Sequence, residues 1–270
     1  MKRHAVIIAG DTRTWKKSAW TLAPLLKDAD VFVSVWKSSE YSHQVTRQKY
    51  WHHAITAWEV DKMFSRLRGL HIEEYVPDRW AAIGYNANYL HRLRVGISLL
   101  RPSSENYESV TLIRPDLIFN VDDDNYKVLV DKIREVTAGQ VISVMSRNFL
   151  NDWLLAVVPD DLDKVVPTVD QYAPHRHEDW HTFHRTFVSE NGMQVVDVPH
   201  VPVLINRPSK SAPEGSGTYN EAYRNACKWN NEYIYRLIER EGLSAAMRAW
   251  GTAGVINAVR DLADSDEWKT

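Results

Sequence analysis

Several polar clusters in this chain carry residue types that can do chemistry. The first is the run Val6-Ile7-Ile8-Ala9-Gly10-Asp11-Thr12-Arg13-Thr14-Trp15, where an apolar strand-like segment delivers a glycine, a polar turn and a basic residue just ahead of a helical pattern. Backbone N–H groups at a helix start, joined by a guanidinium that can fork onto phosphate, suit a diphosphate, and glycine permits close backbone approach. Gly10, Thr12 and Arg13 are the candidate contacts. The spacing meets neither the dinucleotide fingerprint nor the P-loop, so a plain glycine turn with a surface arginine stays open.

The second cluster is Arg114-Pro115-Asp116, flanked by apolar Val110 to Ile113 and Leu117 to Phe119. It sits at the end of a buried-type strand, where open α/β sheets place their ligands. A buried Arg or Asp left unpaired is costly, so the two must pair with each other, a metal or a ligand; a structural salt bridge is the alternative. The third is Asn151-Asp152-Trp153, a polar loop ahead of an apolar strand. Asp152 there can act as a general base on an acceptor hydroxyl, or the segment can be an Asx turn.

Other clusters read more simply. Asp122-Asp123-Asp124 looks like a metal site, but it precedes a helical pattern, where carboxylates cap N–H groups, and capping is favoured. The run from His175 to His184 has helical spacings but lacks the His-Glu-x-x-His arrangement and a nearby cysteine; a polar helix start with Glu178 and Asp179 explains it better than zinc. Arg176 remains a candidate for acceptor or phosphate contact. Among eleven tryptophans, Trp36 and Trp153 are candidate sugar platforms, although large aromatics serve burial first.

The elements that must position these groups alternate. Strand patterns at 5–9, 30–36, 110–113 and 141–145 are separated by helical patterns at 15–26, 46–68, 86–100 and 125–136, with a weaker strand between the second and third helices. This is the signature of parallel strands joined by helices. Beyond Ser146 the pattern mixes, with strands at 154–158, 194–198 and 201–205 and helices at 160–171 and 180–189, which suits antiparallel additions to the sheet. Residues 208–217 read as an irregular loop, expected to order over a bound ligand, and helices are expected at 219–241 and 243–263.

Composition excludes several classes. With 270 residues, 44% hydrophobic and 25% charged, the chain is an ordinary globular sequence rather than a disordered or collagen-like one. No stretch reaches the roughly 18 to 20 apolar residues of a membrane span, and a single cysteine, Cys227, fits a reducing compartment, so a cytoplasmic location is expected. Residues 1–110 carry 16 Lys and Arg against 11 Asp and Glu, while the rest carries 17 against 24. That asymmetry can steer an anionic ligand to the amino-terminal half.

The segments IAGDTRTW (8–15), ADVFVSVW (29–36), NYLHRLRVGISLL (88–100), VTLIRPDLIF (110–119) and NDWLLAVVPDDLDKV (151–165) resemble, in order, a family of bacterial and viral glycosyltransferases that includes the WavE-like lipopolysaccharide enzymes and related surface-glycan enzymes. The resemblance implies an α/β, GT-A-like Rossmann-type fold with a mixed central sheet and C-terminal helices. Residues 1–207 would be the catalytic domain and 208–270 a mobile loop and helical extension packed on it.

It further implies a nucleotide-sugar donor, with a UDP-sugar favoured, bound by Gly10, Thr12, Arg13, Trp36 and Arg114. Asn151, Trp153 and Arg176 would meet the acceptor, a glycan or a modified nucleobase, and Asp116, Asp152 and Arg114 would carry the catalysis. The usual Asp-x-Asp motif of such folds holds Mn2+ or Mg2+. Here Arg114 stands in its first position and leaves Asp116 as the single metal-binding carboxylate, so a metal-independent reaction is the alternative. Two further readings remain: a viral transferase acting on a hydroxymethylated DNA base, and a non-catalytic nucleotide-sugar or nucleic-acid binding module.

Overall fold

A computed structural model describes residues 3–10, 19–37, 40–42, 49–51, 55–74, 83–119, 123–143, 150, 153–196, 198 and 203–205. The apolar runs become β1 (His4–Gly10), β2 (Asp30–Trp36), β6 (Ser109–Ile113) and β9 (Leu154–Val157), each buried along its whole length. Strands covered on both faces need no polar alternation, which is why they read as continuous hydrophobic segments. Together with β5 (Leu67–Glu73), β8 (Gln140–Ser143) and β10 (Gln194–Val196) they form a seven-stranded sheet in the order β10-β8-β9-β6-β1-β2-β5. All pairings are parallel except those of β9, which runs antiparallel to both β6 and β8.

This is the mixed α/β sheet expected. Its first half is Rossmann-like: the chain passes outward from β1 to β2 to β5, then returns to place β6 on the other side of β1. The reversal puts a topological switch point at the carboxyl ends of β1 and β6, the position where such sheets place their ligand crevice. Two small antiparallel pairs lie outside the main sheet, β3 (Glu40–Ser42) with β4 (Lys49–Trp51) and β7 (Leu117–Phe119) with β11 (Val203–Ile205).

Helices cover both faces. The α-helices are α1 (Ala23–Leu26), α2 (Ala57–Met63), α3 (Tyr85–Leu100), α4 (Asp124–Arg134), α5 (Leu162–Val165), α6 (Val169–Tyr172) and α7 (Trp180–Glu190) among the described residues. Val6 and Ile8 of β1 share one core with Tyr126, Leu129, Val130 and Ile133 of α4, a stripe at helical spacing. Ala5, Ile7 and Ala9 share the other with Leu90, Leu93, Ile97 and Leu100 of α3 and Phe183 of α7. Helix α3 comes close enough to the sheet that a Cβ on Gly96 would collide with Cγ2 of Ile7 and lie 3.5 Å from Cβ of Ser34.

The expected helix over 46–68 is corrected. Strand β4 occupies 49–51, and among the described residues of this range 57–63 is helical, started by a capping box in which Thr56 and Glu59 exchange hydrogen bonds. The helical pattern at 160–171 is likewise divided by Pro167, which cannot continue the helix that α5 begins. The loop at 208–217, the helices expected beyond it and Cys227 lie outside the described residues.

Candidate active site

The crevice between β1 and β6 is furnished by both strands and by α3. Gly10 ends β1 with φ 129°, a backbone conformation that glycine adopts without strain. A Cβ there would sit 3.5 Å from Cδ of Pro115 and 3.6 Å from Cδ2 of Tyr89, so glycine, the proline turn and the α3 tyrosine close on one point. The chain leaves the main sheet at Ile113, and Arg114-Pro115-Asp116 forms the turn that carries it to β7.

Arg114 and Asp116 form a bidentate pair across this turn. Nε of Arg114 donates to Oδ1 of Asp116 at 3.0 Å and Nη2 donates to Oδ2 at 2.7 Å. The carboxylate is 1% exposed and the arginine side chain 17%. The fork geometry fixes the guanidinium plane, and Asp116 offsets much of the cost of holding a cation there. The guanidinium carbon also lies 5.9 Å from the Tyr89 ring centroid, within cation–π range. Arg114 N–H donates to the Trp153 carbonyl at 3.2 Å, which sets the half-buried Trp153 beside it at the start of β9.

A second polar group lies at the carboxyl ends of β2 and β5. Trp36 and Glu73 are register partners there. The Arg92 guanidinium of α3 covers the Trp36 ring with its carbon 4.1 Å from the centroid, His91 stacks on the same ring at 5.9 Å, and Arg92 Nη2 donates to Glu73. Trp36 is 2% exposed. Its expected role as a sugar platform therefore meets a ring already sealed by cation–π and stacking contacts. Burial and the neighbouring Arg92 charge push the His71 imidazole below its ordinary value, with Glu73 working the other way.

Sequence reasoning missed Tyr89, His91, Arg92 and Glu73. An arginine lying between Leu90 and Leu93, and one turn before Gly96, was the available signal, because a cation on a buried helix face demands a partner.

The sequence matches no family model, and no curated protein matches it. Among solved structures the chain is similar to the apo-form glycosyltransferase GlyE of Streptococcus pneumoniae TIGR4, at 10% identity and a TM-score of 0.38. The likeness covers 88% of this chain and 64% of that one, so the chain spans less than two thirds of that neighbour.

Of the residues singled out in the sequence, Gly10, Arg114, Asp116 and Trp153 come together at the crevice. Thr12, Arg13, Asn151, Asp152 and Asp122 lie outside the described residues; Asn151 and Asp152 immediately precede Trp153. Arg176 is exposed, and its Nη1 donates to the Ala173 carbonyl at 3.3 Å. Its segment reaches the start of α3, where Asn86 Nδ2 donates to the Tyr172 hydroxyl at 3.1 Å.

Asp123 is the N-cap of α4, accepting from Asn125 N–H at 2.8 Å, and Asp124 pairs with Lys127. The histidine run is similarly structural. His184 Nε2 donates to the Val165 carbonyl at 2.7 Å, His181 Nδ1 donates to the Leu150 carbonyl at 3.3 Å, and Asp179 caps α7.

Among the described residues no group of three or more His, Cys, Asp or Glu side chains is placed to hold a metal ion. They offer an Mn2+ or Mg2+ ion a single crevice carboxylate, Asp116, with both oxygens engaged by Arg114. Oxygen-bound cations are held by several ligands, so this donor set does not fit one by itself. No helix among the described residues is long and apolar enough to cross a membrane.

Proposed function

We propose that this protein is a glycosyltransferase that takes a nucleoside-diphosphate sugar, with a UDP-sugar favoured, at the carboxyl ends of β1 and β6. The observation that carries the reading is the Arg114–Asp116 pair, a guanidinium held rigid by a buried carboxylate at the topological switch point of the sheet, beside Gly10. The order of the resembling segments supports it. In the transfer, the bond between the anomeric carbon and the diphosphate oxygen breaks, and the nucleoside diphosphate leaves with the electron pair. Negative charge grows on the leaving oxygen, where a preorganised cation stabilises the transition state more than the ground state. Arg114 supplies that cation and Asp116 fixes its plane.

The acceptor hydroxyl attacks the anomeric carbon and loses its proton to a base, the role assigned to Asp152. Trp153 and Arg176 complete the acceptor side. The rigid charge pair favours a reaction that runs without a protein-held metal. Incubating the protein with a panel of sugar nucleotides, with manganese or with a chelator, and scoring nucleoside diphosphate release tests the proposal. Release that survives the chelator is the expected result; no release from any donor under either condition rejects the reading.

A further inference from the structure

Among the described residues a second cationic cluster lies away from the crevice. At the opposite end of the sheet, Asp30, which begins β2 and is 1% exposed, gathers three guanidiniums. Arg3 Nη2 donates to its Oδ2 at 3.1 Å, while Arg66 Nε and Arg68 Nε donate to its Oδ1 at 2.9 and 3.2 Å. The Tyr107 hydroxyl donates to Oδ2 at 3.1 Å. These residues come from the amino ends of four adjacent strands, β5, β2, β1 and β6, so the parallel sheet itself assembles the cluster.

One carboxylate needs one cation. The hydrogen-bonded cluster therefore keeps a surplus of two positive charges. The arginine side chains stay 49%, 40% and 53% exposed. Guanidiniums crowded on a single acceptor repel one another, and each has more N–H donors than Asp30 can receive. An oxyanion landing on the three would relieve the repulsion and accept in fork geometry.

We propose that the Arg3–Arg66–Arg68 triad is a second anion site, separate from the crevice, that takes a phosphate group. Asp30 and Tyr107 preorganise it from beneath. The same chemistry is presented by a soluble diphosphate and by a phospholipid headgroup.

The test measures the thermal midpoint of the full chain with added inorganic pyrophosphate against chloride at matched ionic strength. It compares wild type, Arg114→Gln, Arg68→Gln and Arg66→Gln/Arg68→Gln. The Arg114→Gln protein isolates the triad from the proposed donor site. The expected result is a pyrophosphate-dependent rise that persists in Arg114→Gln, with affinity about fivefold weaker in Arg68→Gln and lost in the double variant.

Should the double variant not fold, Arg3→Gln, at a side chain 49% exposed, provides a second arm, with affinity for pyrophosphate expected to fall about fivefold. Flotation with phosphatidylcholine vesicles, with and without phosphatidic acid, decides the source. Triad-dependent capture only on the acidic vesicles assigns the phosphate to a lipid, and a response to pyrophosphate alone assigns it to a soluble ligand. A response that vanishes in Arg114→Gln, or that is equal in wild type and Arg68→Gln, overturns the proposal and leaves the triad as Asp30's neutralising shell; so does no response to pyrophosphate or acidic vesicles.

Discussion

His4 gives the chain a stability that depends on pH. Its imidazole is 5% exposed on β1 and spans to β6, with Nδ1 2.8 Å from the Ser109 hydroxyl and Nε2 3.2 Å from the Thr111 hydroxyl. Burial and the Arg134 charge lower its pKa from 6.5 to about 4, against a hydrogen bond donated to the Ser109 backbone that raises it. Because the folded value lies below the unfolded one, the unfolded chain takes the proton first as pH falls. The stabilising contribution is complete above about pH 6.5 and is lost as pH drops towards about 4.

A shift of about 2.5 units at about 1.4 kcal/mol per unit gives a loss of about 3 kcal/mol. That is a large share of a domain's typical stability, about 5 to 15 kcal/mol. Urea unfolding of wild type and His4→Gln at several pH values in this window reads it directly. Asp30 titrates below the window: burial pushes its carboxyl up, but hydrogen bonds from Arg66, Arg68 and Tyr107 outweigh that, and the net shift is down. His71 shifts in the same direction as His4 but is 40% exposed, so its share is discounted. Wild type must lose more stability than His4→Gln between the two limits, and equal losses refute the reasoning.

Three substitutions test the site and its support. Gly96→Ala drives a methyl into Ile7 and is expected to destabilise by about 1 to 3 kcal/mol, read from denaturant midpoints. Asp116→Asn removes the charge that holds Arg114; we expect a cost of about 1 to 3 kcal/mol in stability and at least about a hundredfold in turnover, and near-normal turnover in the folded variant would remove the pair from the mechanism. Trp36→Phe keeps a ring beneath Arg92, so donor affinity should stay within about twofold by calorimetry; a larger loss returns Trp36 to the donor site.

The strands that frame the site were legible because both of their faces are buried. Val6-Ile7-Ile8 and Val31-Phe32-Val33 have no polar side to show, and a run of that kind ending in glycine or a charge identifies its own carboxyl end. Strand β5 was harder. It lies at the edge of the sheet, partly exposed along its length, and its sequence Leu-Arg-Gly-Leu-His-Ile-Glu carries no continuous apolar run.

Gly10, Arg114 and Asp116 could be named from local pattern. Partners distant in the chain could not: Tyr89 meets Gly10, Arg92 meets Glu73, and Asp30 collects Arg3, Arg66, Arg68 and Tyr107 only once the sheet order is known. The acidic run at 122–124 shows the reverse case, since the capping reading of Asp123 rested on local helix chemistry and the structure places it as the N-cap.

The central claim is that Arg114, held by Asp116 at the switch point, receives the diphosphate of a sugar nucleotide. Calorimetric titration of a panel of nucleoside-diphosphate sugars into wild type and Arg114→Gln, both in chelator, tests it most directly. The account predicts measurable binding of at least one donor by wild type and at least about tenfold weaker binding of that donor by Arg114→Gln, since a charge-assisted contact to phosphate is lost. Equal affinities in the two proteins, or no binding by wild type to any donor, would contradict it.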